Sequence, residues 1–183
     1  MLKFILLGVA AIVVLFLVIV ALRPSDFRIT RSATFIAPPA ALFEQFNDLH
    51  HWNAWSPWAR LDPGARYSFS GPDAGPGSTL AWAGNNQVGE GRMTIVESIA
   101  AERVRMKLEF LKPFTATNTA EFTFIPEGDS TRVIWTMSGK NNFIGKAMSL
   151  VMNCEEMCGR QFEQGFVNLR ERVEPNAALT AVH

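Results

Sequence analysis

Chemistry in this chain has to come from a few scattered side chains. His50 and His51 stand side by side before Trp52, and the third histidine is the terminal His183. Such a pair could exchange protons or bind a metal. No further His or Cys at ligand spacing joins it, so a capping or surface role beside the tryptophans is the plainer reading. Cys154 and Cys158 lie four residues apart on one face of what reads as a helix, where a disulfide between them is geometrically disfavoured. Met148, Met152 and Met157 nearby sketch a soft-metal site, but buried core thiols are the ordinary explanation. Gly71 to Gly77 holds two prolines and no Lys, which suits a hairpin turn and not a phosphate loop. No metal and no cofactor is called for. Three polar groups remain that could orient a ligand or move a proton inside an apolar interior: Asn118, Glu97 and Glu155.

Hydrophobic period outlines the framework that holds these side chains. Asp26 to Ala37 reads as a strand, stopped by Pro38-Pro39, which also pre-sets a helix start. Ala40 to Asp48 is a short helix with Leu42, Phe43, Phe46 and Leu49 on its apolar face. Trp52, Trp55 and Trp58, three tryptophans in seven residues, form a compact aromatic loop or second short helix. Strands come next around Tyr67 and Phe69, over Ser78 to Ala83 and over Gly89 to Glu97. In Arg103 to Phe110 the alternation is cleanest, with Val104, Met106, Leu108 and Phe110 facing one way. Thr115 to Ile125 puts Asn118, Ala120, Phe122 and Phe124 on one face. Glu127-Gly128-Asp129 then turns the chain into Thr131 to Ser138, where Val133, Trp135 and Met137 share a face. From Asn142 to Glu174 the period becomes helical, and the segment reads as one long amphipathic helix.

This order predicts an α+β domain: a curved antiparallel sheet of about seven strands wrapped on a long C-terminal helix. Between them lies an apolar interior. The residues facing it, each of which could be plain core or ligand-binding wall, are Trp55, Trp82, Met106, Leu108 and Phe110, then Asn118, Phe122, Phe124, Trp135 and Met137. The helix adds Met148, Met152 and Glu155. Flexible Met suits a wall that adapts to varied guests.

Residues 4–22 are all apolar or Gly, flanked by Lys3 and by Arg23-Pro24. Such a helix is about 28 Å long, close to the hydrocarbon thickness of a bilayer. The run is long for a secretory signal, and Val20-Ala21-Leu22 is a poor cleavage site, so a retained single-pass transmembrane helix is expected. The basic residues Arg23, Arg28 and Arg31, diluted by Asp26, lean toward a cytoplasmic domain. Signal anchors can also export the domain C-terminal to them, which leaves the side open. The chain divides into an anchor at 1–24, a domain at 25–175 and a flexible tail at 176–183.

Lys+Arg and Asp+Glu are both 17, so no basic stripe marks a nucleic-acid partner. The bulk is apolar: 14 Phe, 5 Trp and 7 Met stand against one Tyr, enough both to fill a core and to line a pocket.

Several segments resemble one known superfamily. They are Ile36-Ala37-Pro38-Pro39-Ala40-Ala41-Leu42-Phe43, Asn47-Asp48, Trp52-x-x-Trp55-Ser56-Pro57-Trp58, Trp135-Thr136-Met137-Ser138-Gly139, and Gly159 to Leu169. Together with the element order they resemble the START-like helix-grip proteins (SRPBCC), nearest to the polyketide cyclase/dehydrase-like branch, over Phe27 to Glu174. The resemblance implies the helix-grip fold and a cavity between sheet and C-terminal helix. The expected function is a membrane-anchored module that binds a hydrophobic small molecule or lipid. A cyclase or hydratase using Asn118, Glu155 or the His50-His51 loop is the alternative, and it lacks a coherent polar constellation. A regulatory module with a filled cavity is the third reading. Fold does not decide among these.

Overall fold

In a computed structural model, residues 1–174 are described; the tail at 176–183 and His183 lie outside them. The N-terminal helix α1 runs over Leu2–Leu22. Its side chains are exposed along the whole length except Val20, and it is long and apolar enough to cross a membrane.

After α1 the chain forms β1 (Asp26–Phe35), α2 (Pro39–Asn47) and the short α3 (Trp52–Trp55), with single 3-10 turns at Leu49–His51 and Pro57–Arg60. Pro38 caps α2 in extended conformation and Pro39 occupies its first turn, where a missing N–H is harmless. The remaining six strands are β2 (Arg66–Ser70), β3 (Thr79–Ala83), β4 (Glu90–Ile99), β5 (Arg103–Lys112), β6 (Ala116–Glu127) and β7 (Ser130–Lys140). All pairings are antiparallel, in the order β1-β7-β6-β5-β4-β3-β2. Only β1 is out of sequence order, carried to the far edge beside β7. The β6–β7 hairpin closes through Gly128-Asp129, with Gly128 at φ 63° as a two-residue turn requires.

The C-terminal segment is two helices, α4 (Phe143–Val151) and α5 (Cys154–Val173), and not the single long helix expected from its periodicity. Met152 is extended (φ −121°, ψ 137°), and Asn153 starts α5 afresh. The Asn153 side chain accepts a bond from the Glu156 backbone N–H and donates to the Glu156 carboxylate, a reciprocal cap. The Asn-x-x-Glu signal is present in the sequence, but the apolar period runs straight across it and conceals the break.

One face of the sheet holds the core. On α5, Phe162, Gly165, Phe166 and Leu169 recur at three- and four-residue steps, and all are buried. Phe166 meets Phe35 of β1 edge to face at 5.9 Å, and Asn168 donates to the Trp55 carbonyl at 2.9 Å, tying α5 to α3. On the other flank Phe46 of α2 sits 4.4 Å from Phe122 and 5.4 Å from Phe124. The opposite face of the sheet is ionic. Arg92 and Lys107 both reach Glu109, at 2.7 and 2.8 Å, and Arg105 bridges Glu97 and Glu121 at 2.7 Å each. This is the helix-grip arrangement expected from the sequence.

Candidate functional site

The core is not filled throughout. Toward the end of the sheet nearest α1, a partly open cavity of about 300 Å³ remains between sheet and helices, at the lower end of the size range of ligand sites. The sheet supplies one wall: Leu80 and Trp82 of β3, Met93 of β4, Leu108 and Phe110 of β5. Ala120 of β6 and Trp135 and Met137 of β7 continue it. Trp52, Trp58 and Phe162 close the other side, and Gln87 and Val88 from the β3–β4 turn close the end.

Two local features hold the wall in place. Trp82 donates its indole N–H to the Val88 carbonyl at 3.1 Å and meets Phe110 edge to face at 5.8 Å. Gly91 makes room for that indole: a Cβ there would lie 2.6 Å from Trp82 Cζ2 and 2.5 Å from the Glu109 carbonyl oxygen. Trp135 lies at the centre of an aromatic cluster, stacked on Phe162 and edge to face with Trp52, Trp55 and Trp58.

The cavity carries few polar groups. Asn53, Ser56, Tyr67 and Gln87 line it. Burial, helped by the Asp62 carboxylate, pushes the Tyr67 hydroxyl above its usual pKa, so it stays a neutral donor. Trp135 Nε1 and Asn53 Oδ1 are buried without a hydrogen-bond partner among the described residues. An unpaired buried polar atom costs about 1–3 kcal/mol. Both atoms belong to residues of the cavity wall, but each is covered by packed side chains. Cys158, on α5, faces the cavity too, and burial pushes its thiol up to about 11 against the opposing pull of Arg31. It is a neutral, poorly nucleophilic side chain.

Of the residues expected to face a ligand, Trp82, Leu108, Phe110, Trp135 and Met137 line the cavity. Trp55, Met106, Phe122 and Phe124 point to the same side of the sheet but are buried in solid packing. Trp55 is enclosed by Phe46 and Trp135, while its helical neighbours Trp52 and Trp58 reach the cavity. Asn118 faces inward but lies beside Gly139, away from the cavity lining, with its Oδ1 unpaired among the described residues. The helix break takes the last three elsewhere. Met148 and Met152 are exposed, and Glu155 is exposed in the first turn of α5. Glu97 comes just after a bulge between Ile95 and Glu97 that turns it to the ionic face, where it binds Arg103 at 2.7 Å.

His50 and His51 do not reach the cavity. His50 Nδ1 lies 2.7 Å from Asp48 Oδ1 and its ring stacks on Phe69, while His51 Nδ1 lies 3.3 Å from the Glu44 carbonyl. Burial raises the Asp48 carboxyl, but the bonds from His50 outweigh it and hold the group below its usual range. The pair fastens the loop. No cluster of three or more His, Cys, Asp or Glu that could hold a metal occurs among the described residues. Sequence reasoning misses Asn53, Ser56, Tyr67 and Gln87 because they sit in or beside the single-turn α3, on a turn or at a sheet edge, too short a stretch for period to give facing.

A family model described as polyketide cyclase / dehydrase and lipid transport matches residues 26–174. No curated protein matches the chain in sequence. Among solved structures, a Chromobacterium violaceum protein shares 18% identity at TM-score 0.59, over 84% of this chain and 99% of its own. The Aha1 protein of Colwellia psychrerythraea, solved as a dimer, shares 15% at TM-score 0.59, over 81% and 96%. Major latex-like protein 151 of Panax ginseng shares 12% at TM-score 0.56, over 81% and 97%. At these identities the likeness is one of fold.

Proposed function

The chain belongs to the polyketide cyclase/dehydrase and lipid transport family, and from that premise we propose that it is a membrane-anchored binding module for a small hydrophobic molecule or lipid. The observation that carries this reading is the cavity of about 300 Å³, walled chiefly by Trp, Phe, Leu and Met side chains. Empty apolar space in a core is destabilising, so an interior built around a void of this size favours a guest. Its walls are Trp82, Leu108, Phe110, Trp135 and Met137, joined by Trp52 and Trp58. Asn53, Ser56, Tyr67 and Gln87 are the polar residues of the lining, so the guest is chiefly apolar with few polar groups.

The helix α1 serves as the anchor in this reading. A pocket tethered to a bilayer meets bilayer-soluble guests at high effective concentration. The cavity has apolar walls and no acid–base pair close to a nucleophile, which supports binding over turnover.

Native mass spectrometry of the full chain, released from lipid nanodiscs, tests the reading. A small molecule should accompany the wild-type protein and be lost from Ala120→Trp and Leu108→Trp, which fill the cavity from the neighbouring strands β6 and β5. If both folded variants retain the same adduct as wild type, the guest is not in this cavity.

A further inference from the structure

Apolar surface outside α1 gathers at one end of the sheet. Beyond α1, half of the exposed large apolar side chains among the described residues lie on α4, at its C-cap, at the end of β5 or on the β5–β6 turn. Leu111, Phe114, Phe143, Ile144, Met148 and Met152 are each 39–54% exposed. Strand register brings these segments together. Asp26 pairs with Lys140, and Gly139 pairs with Asn118. The chain leaving α1, the chain leading to α4 and the beginning of β6 therefore share one end of the sheet. Phe114 precedes Asn118 by four residues, so the β5–β6 turn projects roughly 10 Å past Gly139.

The helix α1 packs at this same end. It contacts α4, Lys146 Nζ donates to the Ala21 carbonyl at 3.4 Å, and Val20 is the one buried side chain of α1. A spanning α1 thus places α4 at headgroup depth, where its Phe143, Ile144 and Met148 would meet acyl chains. The cavity lies at this end too, since Trp82 and Phe110 are cross-strand neighbours of Gly91 near the start of β4. A second groove of about 660 Å³ runs between α4, the start of β1 and the first turn of α5. It begins at Arg23 and Pro24, immediately after α1, and shares Met137 and Cys158 with the cavity.

We propose that α4 and the β5–β6 turn lie in the bilayer interface beside the cavity, so that the guest passes between cavity and membrane through the groove whose inner end is Met137 and Cys158. The occupant of this apolar face is the lipid of the bilayer that α1 crosses; the inference rests on α1 being a membrane span. The argument for lipid is continuity: the face carries on from the apolar surface of α1 with no intervening element. Lys112 and Lys140, at this same end of the sheet, are paired with Glu90 at 2.6 Å and Asp26 at 4.0 Å, and Lys146 is bonded to the Ala21 carbonyl.

The test uses the full chain with Cys154→Ser and Cys158→Ser, in vesicles of phosphatidylcholine and phosphatidylglycerol. A nitroxide is attached in turn to Phe114→Cys, Ile144→Cys, Val96→Cys and Leu15→Cys. All four wild-type side chains are exposed, so the labels leave the core untouched. Relaxation by oxygen against relaxation by a water-soluble nickel chelate reports depth. The expected result is a ratio several-fold higher at Phe114 and Ile144 than at Val96, approaching that at Leu15. Aqueous ratios at Phe114 and Ile144 with a lipid-embedded Leu15 would overturn the interface and leave the anchor standing. An aqueous Leu15 would remove the anchor and the inference together. Spin–spin broadening at Ile144 that vanishes on dilution with unlabelled chain would assign the face to a second copy instead.

Discussion

Trp135 and Phe162 lie face to face, ring centroids 4.0 Å apart and planes 6° from parallel. The pair joins β7 to α5, and both rings line the cavity. It therefore serves as part of the core and as part of the binding wall.

Phe162→Ala separates those two roles. Phe162 is 1% exposed, and removing a fully buried Phe destabilises a protein by about 3–5 kcal/mol. The same change enlarges the cavity beside Trp135. Urea unfolding should show the loss of stability, and a polarity-sensitive apolar dye should bind the folded variant at least as well as wild type. Wild-type stability in the variant would mean that α5 does not press on the sheet as described.

Gly91→Ala tests the wall from the other side. A methyl group there lies 2.6 Å from Trp82 Cζ2 and 2.5 Å from the Glu109 carbonyl oxygen. Overpacking of this kind costs about 1–3 kcal/mol. Trp82 can yield by moving into the cavity, whereas the Glu109 backbone cannot move without disturbing the β4–β5 ladder. The variant should lose stability and bind an apolar guest more weakly. The Trp82→Phe, Gly91→Ala double variant should recover part of the stability, because the smaller ring clears the methyl group. Absence of any recovery would locate the conflict in the backbone alone.

Much of this architecture is legible in the sequence, and the failures are specific. Alternation in β5, β6 and β7 places Val104, Phe122 and Val133 on the buried face, because a period of two leaves no other choice when one face is covered. The same alternation does not distinguish Met106, in solid packing, from Leu108, on the cavity wall. Both point inward, and the difference depends on whether α2 or the cavity lies above them. Glu97 shares the sequence parity of Met93 and Ile95, which the bulge at Val96 reverses. The helix break at Met152 is concealed by an apolar period that continues from α4 into α5, and the break sends Met148 and Met152 to the surface. The polar lining, Asn53 in the single-turn α3 and Gln87 on the β3–β4 turn above all, carries no periodic signal.

The two cysteines should differ in reactivity. Cys154 is exposed, while burial raises the Cys158 thiol to about 11. Cys154 is open to collision with reagent, whereas Cys158 is half-buried and its raised thiol holds little thiolate at pH 7.5, so it should react far more slowly. Brief maleimide treatment of the full chain in nanodiscs should add one label, abolished by Cys154→Ser. A second label should appear slowly in the folded protein and promptly on unfolding. Prompt double labelling of folded protein would place Cys158 at the surface and take it out of the cavity wall.

Acid should weaken the ionic face of the sheet in a defined window. Hydrogen bonds from Arg92 and then Lys107 hold the Glu109 carboxyl down to about 2, against roughly 4.3 for a free glutamate. A carboxyl whose folded pKa is depressed binds fewer protons folded than unfolded. Its contribution is therefore complete above the unfolded value and is lost as pH falls from there toward 2. Wild type should melt above Glu109→Gln at pH 7, and the gap should shrink between pH 4.5 and pH 2.5. High salt should narrow it at every pH, since these groups are partly exposed and screened. A gap that stayed constant from pH 7 to pH 2.5 would show that Glu109 stabilises β4 and β5 through packing and not through charge.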